Sequence, residues 1–203
     1  MVTLVACDGS ALKGDVGSTT GFTCASGFVG ETYEKEVKIE EAKAGRFLGD
    51  ATNNIAEITA LNMALKYYYD RRNDGAFYFL VDSDYLRQSI LFWFYNWKKK
   101  AMQSEDGIPR TKTGTPVKNW ELLEETYNLF HEFPSRRLYK IRSHADPDRY
   151  EKDHAEFNKI NRVEFSYGLW NRCRQLNESV DHVAHWCSTN HSNIPLKVTV
   201  PEH

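Results

Sequence analysis

The sequence predicts a mixed α/β protein in which one sheet combines antiparallel and crossover connections. Short apolar runs of strand length alternate along the chain with longer segments whose apolar residues recur at helical spacing. Two of the apolar runs end directly at an aspartate, as strands do when they reach the rim of an α/β sheet. The chain is 41% hydrophobic with a net charge of −2, which excludes a disordered chain or a coiled-coil rod.

The first part of the chain predicts three strands. Residues 2–7 form a continuous apolar run without the basic start of a signal peptide, so they predict a strand buried on both faces. Several glycines after this run predict a turn-rich loop. Residues 21–29 and 32–39 have the composition of two further strands, and Gly30 between them favours an antiparallel hairpin.

A change of periodicity then predicts the first helix. In residues 53–69, the apolar side chains of Ile58, Leu61 and Leu65 fall on one face of a helix. Thr52 directly before this segment is a residue type that caps helix N-termini. The sequence therefore predicts a helix that packs one face against the sheet.

The centre of the chain predicts a strand and two helices. Residues 77–81 form a second continuous apolar run, and residues 85–100 are aromatic-rich with helical character. Residues 104–116 contain two glycines and two prolines, which predict a loop. Residues 120–133 have the pattern of an amphipathic helix.

The last part of the chain predicts a short strand at residues 138–142 and a helix at residues 177–187. Residues 146–175 between them are polar and charged, and they predict an insertion without a clear periodicity. We expect residues 1–190 to form a single domain and residues 191–203 to form a C-terminal tail. Scattered cysteines and the absence of a long apolar run indicate a cytoplasmic protein without a membrane partner.

Three acidic residues are predicted to converge. Asp8 and Asp82 each follow an apolar strand, and Glu57 lies near the start of the first helix among apolar neighbours. A buried carboxylate is costly unless a positive charge neutralises it, and several together favour Mg²⁺ or Mn²⁺. Taken singly, the aspartates could also be turn residues and the glutamate a partner of the helix dipole.

Six short blocks occur along the chain in a fixed order. They are DGS at 8–10, TNNIAE at 52–57, DSDYL at 82–86, NWKK at 96–99, PVKN at 116–119 and NESVD at 177–181. In this order and spacing they resemble type 1 ribonuclease H, over about residues 2–187. The resemblance implies a ribonuclease H-like fold with a central five-stranded mixed sheet, in which three antiparallel strands precede parallel crossover strands and helices flank the sheet.

The resemblance also implies a function and a set of catalytic residues. Members are Mg²⁺-dependent endonucleases that hydrolyse the RNA strand of RNA–DNA hybrids by a two-metal mechanism, giving 5′-phosphate and 3′-hydroxyl ends. Carried over residue by residue, the metal-binding carboxylates are Asp8, Glu57, Asp82 and Asp181, and the catalytic histidine is His144. Two Mg²⁺ ions are expected, with Mn²⁺ as a substitute. The long insertion leaves Asp148 and Asp153 as alternatives to Asp181 for the fourth ligand.

Hybrid recognition is implied for a second set of residues. Asparagine side chains at the first helix would read the minor groove, where the 2′-hydroxyl distinguishes RNA from DNA. The segment 87–119, which we call the handle, carries a charge of +5 and would grip the DNA strand. The implied substrate-binding residues are Ser10, Thr52, Asn53, Asn54, Trp97, Lys98, Lys99, Lys118 and Asn119. Helix capping and packing of the handle are the structural alternatives for these positions.

Three alternatives stay open. Asp84 stands where the family usually has an amide, which allows a nuclease of the same fold that acts on double-stranded RNA or on DNA. A binding module that keeps the fold without turnover is the other alternative, although the full carboxylate set argues against it. The residues His182, His185, Cys187 and His191 have spacings that could also suit zinc. We expect a monomer that binds an RNA–DNA hybrid duplex.

Overall fold

The computed structural model describes residues 1–16, 19–34, 37–49, 52–190 and 194–196. Its centre is one mixed sheet of six strands in the order β5-β4-β1-β2-β3-β6. The strands are β1 (Val2–Val16), β2 (Thr19–Glu34), β3 (Val37–Gly49), β4 (Ala76–Val81), β5 (Arg137–Lys140) and β6 (Ile194–Leu196). Strands β1, β2, β3 and β6 pair antiparallel, whereas β4 pairs in parallel with both β1 and β5. The predicted mixed α/β class is therefore confirmed.

Within the described ranges, six α-helices surround this sheet. They are α1 (Asn53–Tyr67), α2 (Asp84–Gln88), α3 (Phe94–Ala101), α4 (Trp120–Glu132), α5 (Tyr150–Asn161) and α6 (Tyr167–Asn190). A π-helical turn joins α2 to α3, and the predicted loop between α3 and α4 contains turns and one isolated bridge. None of the helices in the described ranges is long and apolar enough to cross a membrane.

The sheet is buried on both faces, because side chains along β1 alternate between two apolar cores. Val5 and Cys7 point into the core formed with α1 and α4, whereas Leu4 and Ala6 point into the core formed with α5 and α6. All four side chains are fully buried. This confirms that residues 2–7 are a strand covered on both sides.

Two predictions of where the first strands end are wrong, namely the loop after residue 7 and the turn at Gly30. The glycines at these places serve close packing rather than turns. β1 continues through Gly9 to Val16, and β2 continues through Gly30 to Glu34. A Cβ on Gly30 would lie 1.9 Å from the hydroxyl oxygen of Tyr68, whose ring fills the core. A strand interior tolerates glycine where another group approaches the backbone closely.

The C-terminal part also differs from the prediction. The 146–175 insertion contains α5 and the first turns of α6, which begins at Tyr167 and extends through the predicted helix 177–187. Three residues of the predicted tail form β6 and pair with β3, so the sheet has six strands instead of five. The other residues beyond Asn190 lie outside the described part of the chain.

Candidate active site

The parallel pairing of β1 with β4 places two aspartates side by side. Cys7 on β1 is in register with Val81 at the end of β4, so Asp8 and Asp82 follow paired positions. Asp8 lies inside the long strand β1 rather than at its end, because the strand continues in its pairing with β2. The expected meeting of the two carboxylates at the rim of the parallel part of the sheet is confirmed.

Close packing of α1 on β1 brings Glu57 to the same place. Thr52 caps the helix, since its side-chain oxygen accepts a hydrogen bond from the backbone N–H of Ile55 at 3.4 Å. A Cβ on Gly9 would lie 2.3 Å from the carbonyl carbon of Ala56, so only glycine lets the helix come this close. Ser26 then donates a 2.7 Å hydrogen bond to the carbonyl oxygen of Ala56. These contacts fix the first turns of α1 against the sheet.

The three carboxylates form a cluster suited to a cation. Asp8, Glu57 and Asp82 each offer one oxygen atom, and these atoms lie within 4.8 Å of one another. Asp8 is buried, and Oε2 of Glu57 is buried without a hydrogen-bond partner in the described part of the chain. An ionised carboxylate in such a place needs a compensating charge. Three converging carboxylate oxygens are the hard donor set that Mg²⁺ and Mn²⁺ prefer, so the donor set fits a divalent ion.

The electrostatics of the cluster agree with this interpretation. Burial raises the pKa of Asp8 from 3.8 to about 7, and the charges of Asp82 and, to a smaller extent, Asp181 add to the rise. Burial likewise raises the pKa of Glu57 well above its usual value, with further contributions from Asp82 and Asp8. The charge of Lys140 opposes the rise at Glu57. A bound divalent cation would remove these penalties by favouring the ionised forms.

Two site residues were not predicted from the sequence. The hydroxyl of Ser143 donates a hydrogen bond to Oδ2 of Asp82, and Lys140 donates one to the backbone carbonyl of Asp82. The ammonium nitrogen of Lys140 also lies 3.3 Å from Oδ2 of Asp84. The charge of Asp84, an unexpected residue at its position, is therefore compensated within the protein. A lysine on the predicted strand 138–142 was the sequence signal for this contact.

The structure separates the three candidates for the fourth ligand. Asp181 on α6 lies outside the group of three carboxylates, yet its charge contributes to the raised pKa of Asp8. Asp153 is buried and paired with Arg142 at 3.3 Å and with Arg149 at 3.7 Å, so its charge is already compensated. Asp148 is exposed in a turn before α5. Asp181 is thus the candidate whose charge raises the pKa of Asp8.

The predicted histidines fall in different surroundings. His144 is exposed in the loop after β5, and its backbone has a φ of 49°, in the left-handed region. His182 and His185 are exposed on α6, whereas Cys187 is buried against Ala25. His191 lies outside the described residues. Among the described residues, Asp8, Glu57 and Asp82 are the only cluster of this kind that could hold a metal, so the described part of the predicted zinc set does not assemble.

The predicted substrate residues near the cluster divide into exposed and engaged side chains. Asn53 and Asn54 are exposed in the first turn of α1, next to the turn that carries Glu57, and Thr52 is exposed at the cap. Ser10, in contrast, shares a 3.0 Å hydrogen bond with the hydroxyl of Ser188 on α6. The asparagines are therefore free to contact a ligand, while Ser10 helps to hold α6 on the sheet.

The handle residues lie on α3 and on the loop that leads to α4. Trp97 packs against the core and lies 5.6 Å from the ring of Trp93, which agrees with a packing role. Lys98 pairs with Glu124 at 3.7 Å, and the ammonium of Lys99 lies 4.4 Å above the ring of Tyr95. Two further predicted residues complete the set, namely exposed Lys118 and Asn119, which precedes α4 with a φ of 59°.

Comparisons with known sequences indicate the family of the chain. The sequence model of the family described as RNase H matches residues 2–165 of the chain. "Ribonuclease H" of Acidovorax sp. (strain JS42) is 37% identical over 117 residues, which are 57% of this chain and 72% of that protein. "Ribonuclease HI" of Streptomyces coelicolor is 30% identical over 146 residues, covering 72% of this chain and 58% of that protein. Of "Ribonuclease H" from Tropheryma whipplei (strain Twist), the chain spans 44% of the length at 37% identity.

Comparisons with solved structures concern the fold. LC9-RNase H1, described as a type 1 RNase H with the type 2 active-site motif, superposes with a TM-score of 0.60 at 16% identity. The match covers 95% of this chain and 74% of that protein. The solution structure of the PFV RNase H domain gives a TM-score of 0.52 at 18% identity, covering 88% of this chain and 94% of the domain.

Proposed function

Because this chain belongs to the ribonuclease H family of hydrolases, we propose that it cleaves the RNA strand of RNA–DNA hybrids as an endonuclease dependent on divalent metal ions. The cluster of Asp8, Glu57 and Asp82 is the observation that carries the proposal, since its oxygen atoms converge within 4.8 Å. We further propose Mg²⁺ as the ion, two ions per site and 5′-phosphate and 3′-hydroxyl product ends. Mn²⁺ would substitute for Mg²⁺ because both ions favour carboxylate oxygen ligands.

In this proposal, four carboxylates bind the ions. Asp8, Glu57 and Asp82 would form the centre, and Asp181 would complete the set from α6. Bound there, divalent ions would lower the pKa of water and compensate the charge that develops on the phosphate. Ser143 supports the arrangement by its hydrogen bond to Asp82, which fixes one oxygen of that carboxylate. His144, exposed in the adjacent loop, would order water near the ions or assist release of the product phosphate.

In this proposal, the start of α1 and the handle recognise the substrate. The exposed amides of Asn53 and Asn54 would contact the minor groove and its 2′-hydroxyls, with Thr52 against a phosphate. The basic handle would bind the DNA strand through phosphate contacts made by Lys98, Lys99 and neighbouring residues. Lys140 lies 3.3 Å from Asp84, which reduces the repulsion between this acidic residue and the nucleic acid.

The proposal is tested by a panel of end-labelled duplexes of one sequence: RNA–DNA hybrid, double-stranded RNA and double-stranded DNA. With Mg²⁺ we expect the RNA of the hybrid to be cut and the other duplexes to stay whole. Asp82→Asn should lower the rate by more than about 10³-fold, because the ligand charge is lost. Asp70→Asn is the matched control, since Asp70 is an exposed carboxylate after α1 and away from the cluster.

Equal cutting of all three duplexes would contradict the hybrid-specific proposal and favour a broader nuclease. Binding of the hybrid without cleavage in Mg²⁺ or Mn²⁺ would favour the non-catalytic alternative. Full activity of Asp181→Asn, together with loss of activity in Asp153→Asn, would contradict the choice of the fourth ligand. The monomeric state and the cytoplasmic location stay predictions.

A further inference from the structure

A groove of about 600 Å³ lies along the outer edge of the sheet, and none of the three clustered carboxylates lines it. β5 is the last strand on that side, and the groove is closed by α2 and by the end of α5. Four arginines line it: Arg87 from α2, Arg136 and Arg137 at the start of β5, and Arg162 after α5. Part of the groove is thus built by the insertion that distinguishes this chain.

The groove is strongly positive. None of its lining residues is acidic, and none of the four arginines takes part in an ion pair between described residues. Arg136 and Arg162 are exposed, and both have left-handed backbones, with φ of 41° and 55°. Several guanidinium groups at one place repel each other, so an anion would stabilise the arrangement.

Arg87 gives a second, independent indication of a ligand. Its side chain is 9% exposed, and one terminal nitrogen donates a 3.2 Å hydrogen bond to the carbonyl oxygen of Ile160. Its Nε is buried and has no hydrogen-bond partner within the described ranges. A buried donor without a partner on a charged group is costly, and a phosphate in the groove would satisfy it once the side chain of Arg87 turns its Nε toward the groove.

The aromatic residues of the groove indicate which class of anion it binds. Phe92, 55% exposed, lines the groove beside Tyr139, and the guanidinium of Arg87 lies 5.7 Å from the ring of Phe92. Basic grooves with exposed aromatic rings bind single-stranded nucleic acid, since phosphates contact the arginines and bases stack on the rings. The planar fork of arginine suits phosphate oxygens better than it suits a diffuse negative charge.

The groove also lies close to the proposed cleavage site. Lys140, which contacts Asp82, is at one end of β5, and Arg137 is at the other end. Three residues of strand span about 10 Å. A nucleic-acid strand that runs from the carboxylate cluster along β5 would therefore reach the groove within a few nucleotides.

We propose that this groove binds the phosphodiester backbone of a single-stranded nucleic-acid segment that adjoins the duplex bound at the carboxylate cluster. The position of that duplex rests on the proposed function, whereas binding in the groove is measurable without cleavage. The arginines hold the phosphates, and Phe92 offers a stacking surface. A hybrid with an unpaired tail would therefore bind more tightly than a blunt one.

The test is fluorescence anisotropy of labelled oligothymidylate with the full chain, in EDTA so that cleavage plays no part. The variant Arg136→Asn/Arg162→Asn removes two positive charges, and asparagine tolerates the left-handed backbone at both positions. The control Lys152→Asn/Lys159→Asn removes the same charge from α5 at exposed positions outside the groove. Thermal unfolding of both variants verifies that they are folded.

We expect the groove variant to raise Kd about tenfold over the control, and to reduce the slope of log K against log salt by about 1.4, the value for two phosphate contacts. Equal Kd values for the two variants would overturn the proposal. So would displacement of the oligonucleotide by a polyglutamate peptide of equal charge at equal concentration, since the groove would then be a general anion site. A protein that fails to cut hybrids but shows these Kd differences would contradict only the proposed function.

Discussion

At the scale of single residues, Gly9 determines how the carboxylates meet. It lies in β1 directly after Asp8 and beneath the first turns of α1, where a Cβ would come within 2.3 Å of backbone atoms of Ala56. Glu57 follows Ala56 along the helix, so the missing side chain of Gly9 controls the separation of Glu57 from Asp8. A residue chosen for close packing is therefore part of the chemistry of the site.

Gly9→Ala should therefore disturb both stability and catalysis. The added methyl group forces α1 away from the sheet, and overpacking of this kind costs about 1–3 kcal/mol. Urea unfolding should show this loss, and cleavage should fall because Glu57 moves with the helix. Gly168→Ala is the control, since nothing lies within 4 Å of the Cβ added there and alanine favours a helix. Unchanged unfolding and cleavage in Gly9→Ala would show that the packing around Gly9 can relax.

The raised pKa of Asp8 predicts a pH-dependent stability of the metal-free protein. Because burial raises this pKa from 3.8 to about 7, the folded protein keeps a proton that the unfolded chain releases across that window. The contribution of Asp8 to the free energy of unfolding should therefore fall as the pH rises from about 4 to about 7, and the raised pKa of Glu57 adds a fall in the same direction. Urea unfolding in EDTA measures this, and Asp8→Asn should flatten the dependence. Parallel curves for the two proteins would contradict it.

The residues of the site could be predicted only where a short pattern carries them. Asp8, Glu57 and Asp82 stand next to apolar strands or on a helix face, so their convergence followed from the sequence. Ser143 and Lys140 belong to the site through contacts with Asp82 across the sheet. The spacing of apolar residues along the sequence does not indicate which side chains of a loop or strand will contact a neighbouring strand.

At the scale of elements, α5 explains why the insertion could not be predicted as a helix. Its buried positions are Asp153, Phe157 and Asn161, so two of the three residues on its inner face are polar. The side chain of Asn161 accepts from the N–H and donates to the carbonyl of Lys140, both at 2.7 Å, which covers the free edge of β5. The buried positions of α1 and α4, in contrast, are mostly apolar, and these two helices were predicted nearly to their ends.

The ion pairs of Asp153 predict that its two arginine partners stabilise the folded insertion. Arg142→Ala/Arg149→Ala would leave the buried carboxylate of Asp153 without its two cations, which costs about 3–5 kcal/mol. Adding Asp153→Asn to this variant should restore most of the lost free energy of unfolding, because no buried charge then remains without a partner. Chemical denaturation of the three proteins measures the difference, with Lys152→Ala as an exposed control. No restoration would mean that the arginines stabilise the fold by contacts other than this charge.

At the scale of the whole molecule, a net charge of −2 conceals opposite charges at separate places. The acidic cluster lies where β1 and β4 run side by side and the handle carries +5, while Arg87 of the handle and three further arginines line the groove at the edge of β5. The composition could not predict this separation, because it depends on which strands become neighbours. A polyanionic substrate can approach such a surface, since its acidic part is the part that holds cations.

The central claim is that Asp8, Glu57 and Asp82 hold divalent cations. The most direct measurement is an anomalous difference map from crystals of the protein soaked in Mn²⁺. We expect a peak within coordinating distance of these three carboxylates, with Asp181 beside it, and we expect the peak to be lost in Asp82→Asn crystals. A map without a peak at the cluster, or with its strongest peak at His182 and His185, would contradict the account.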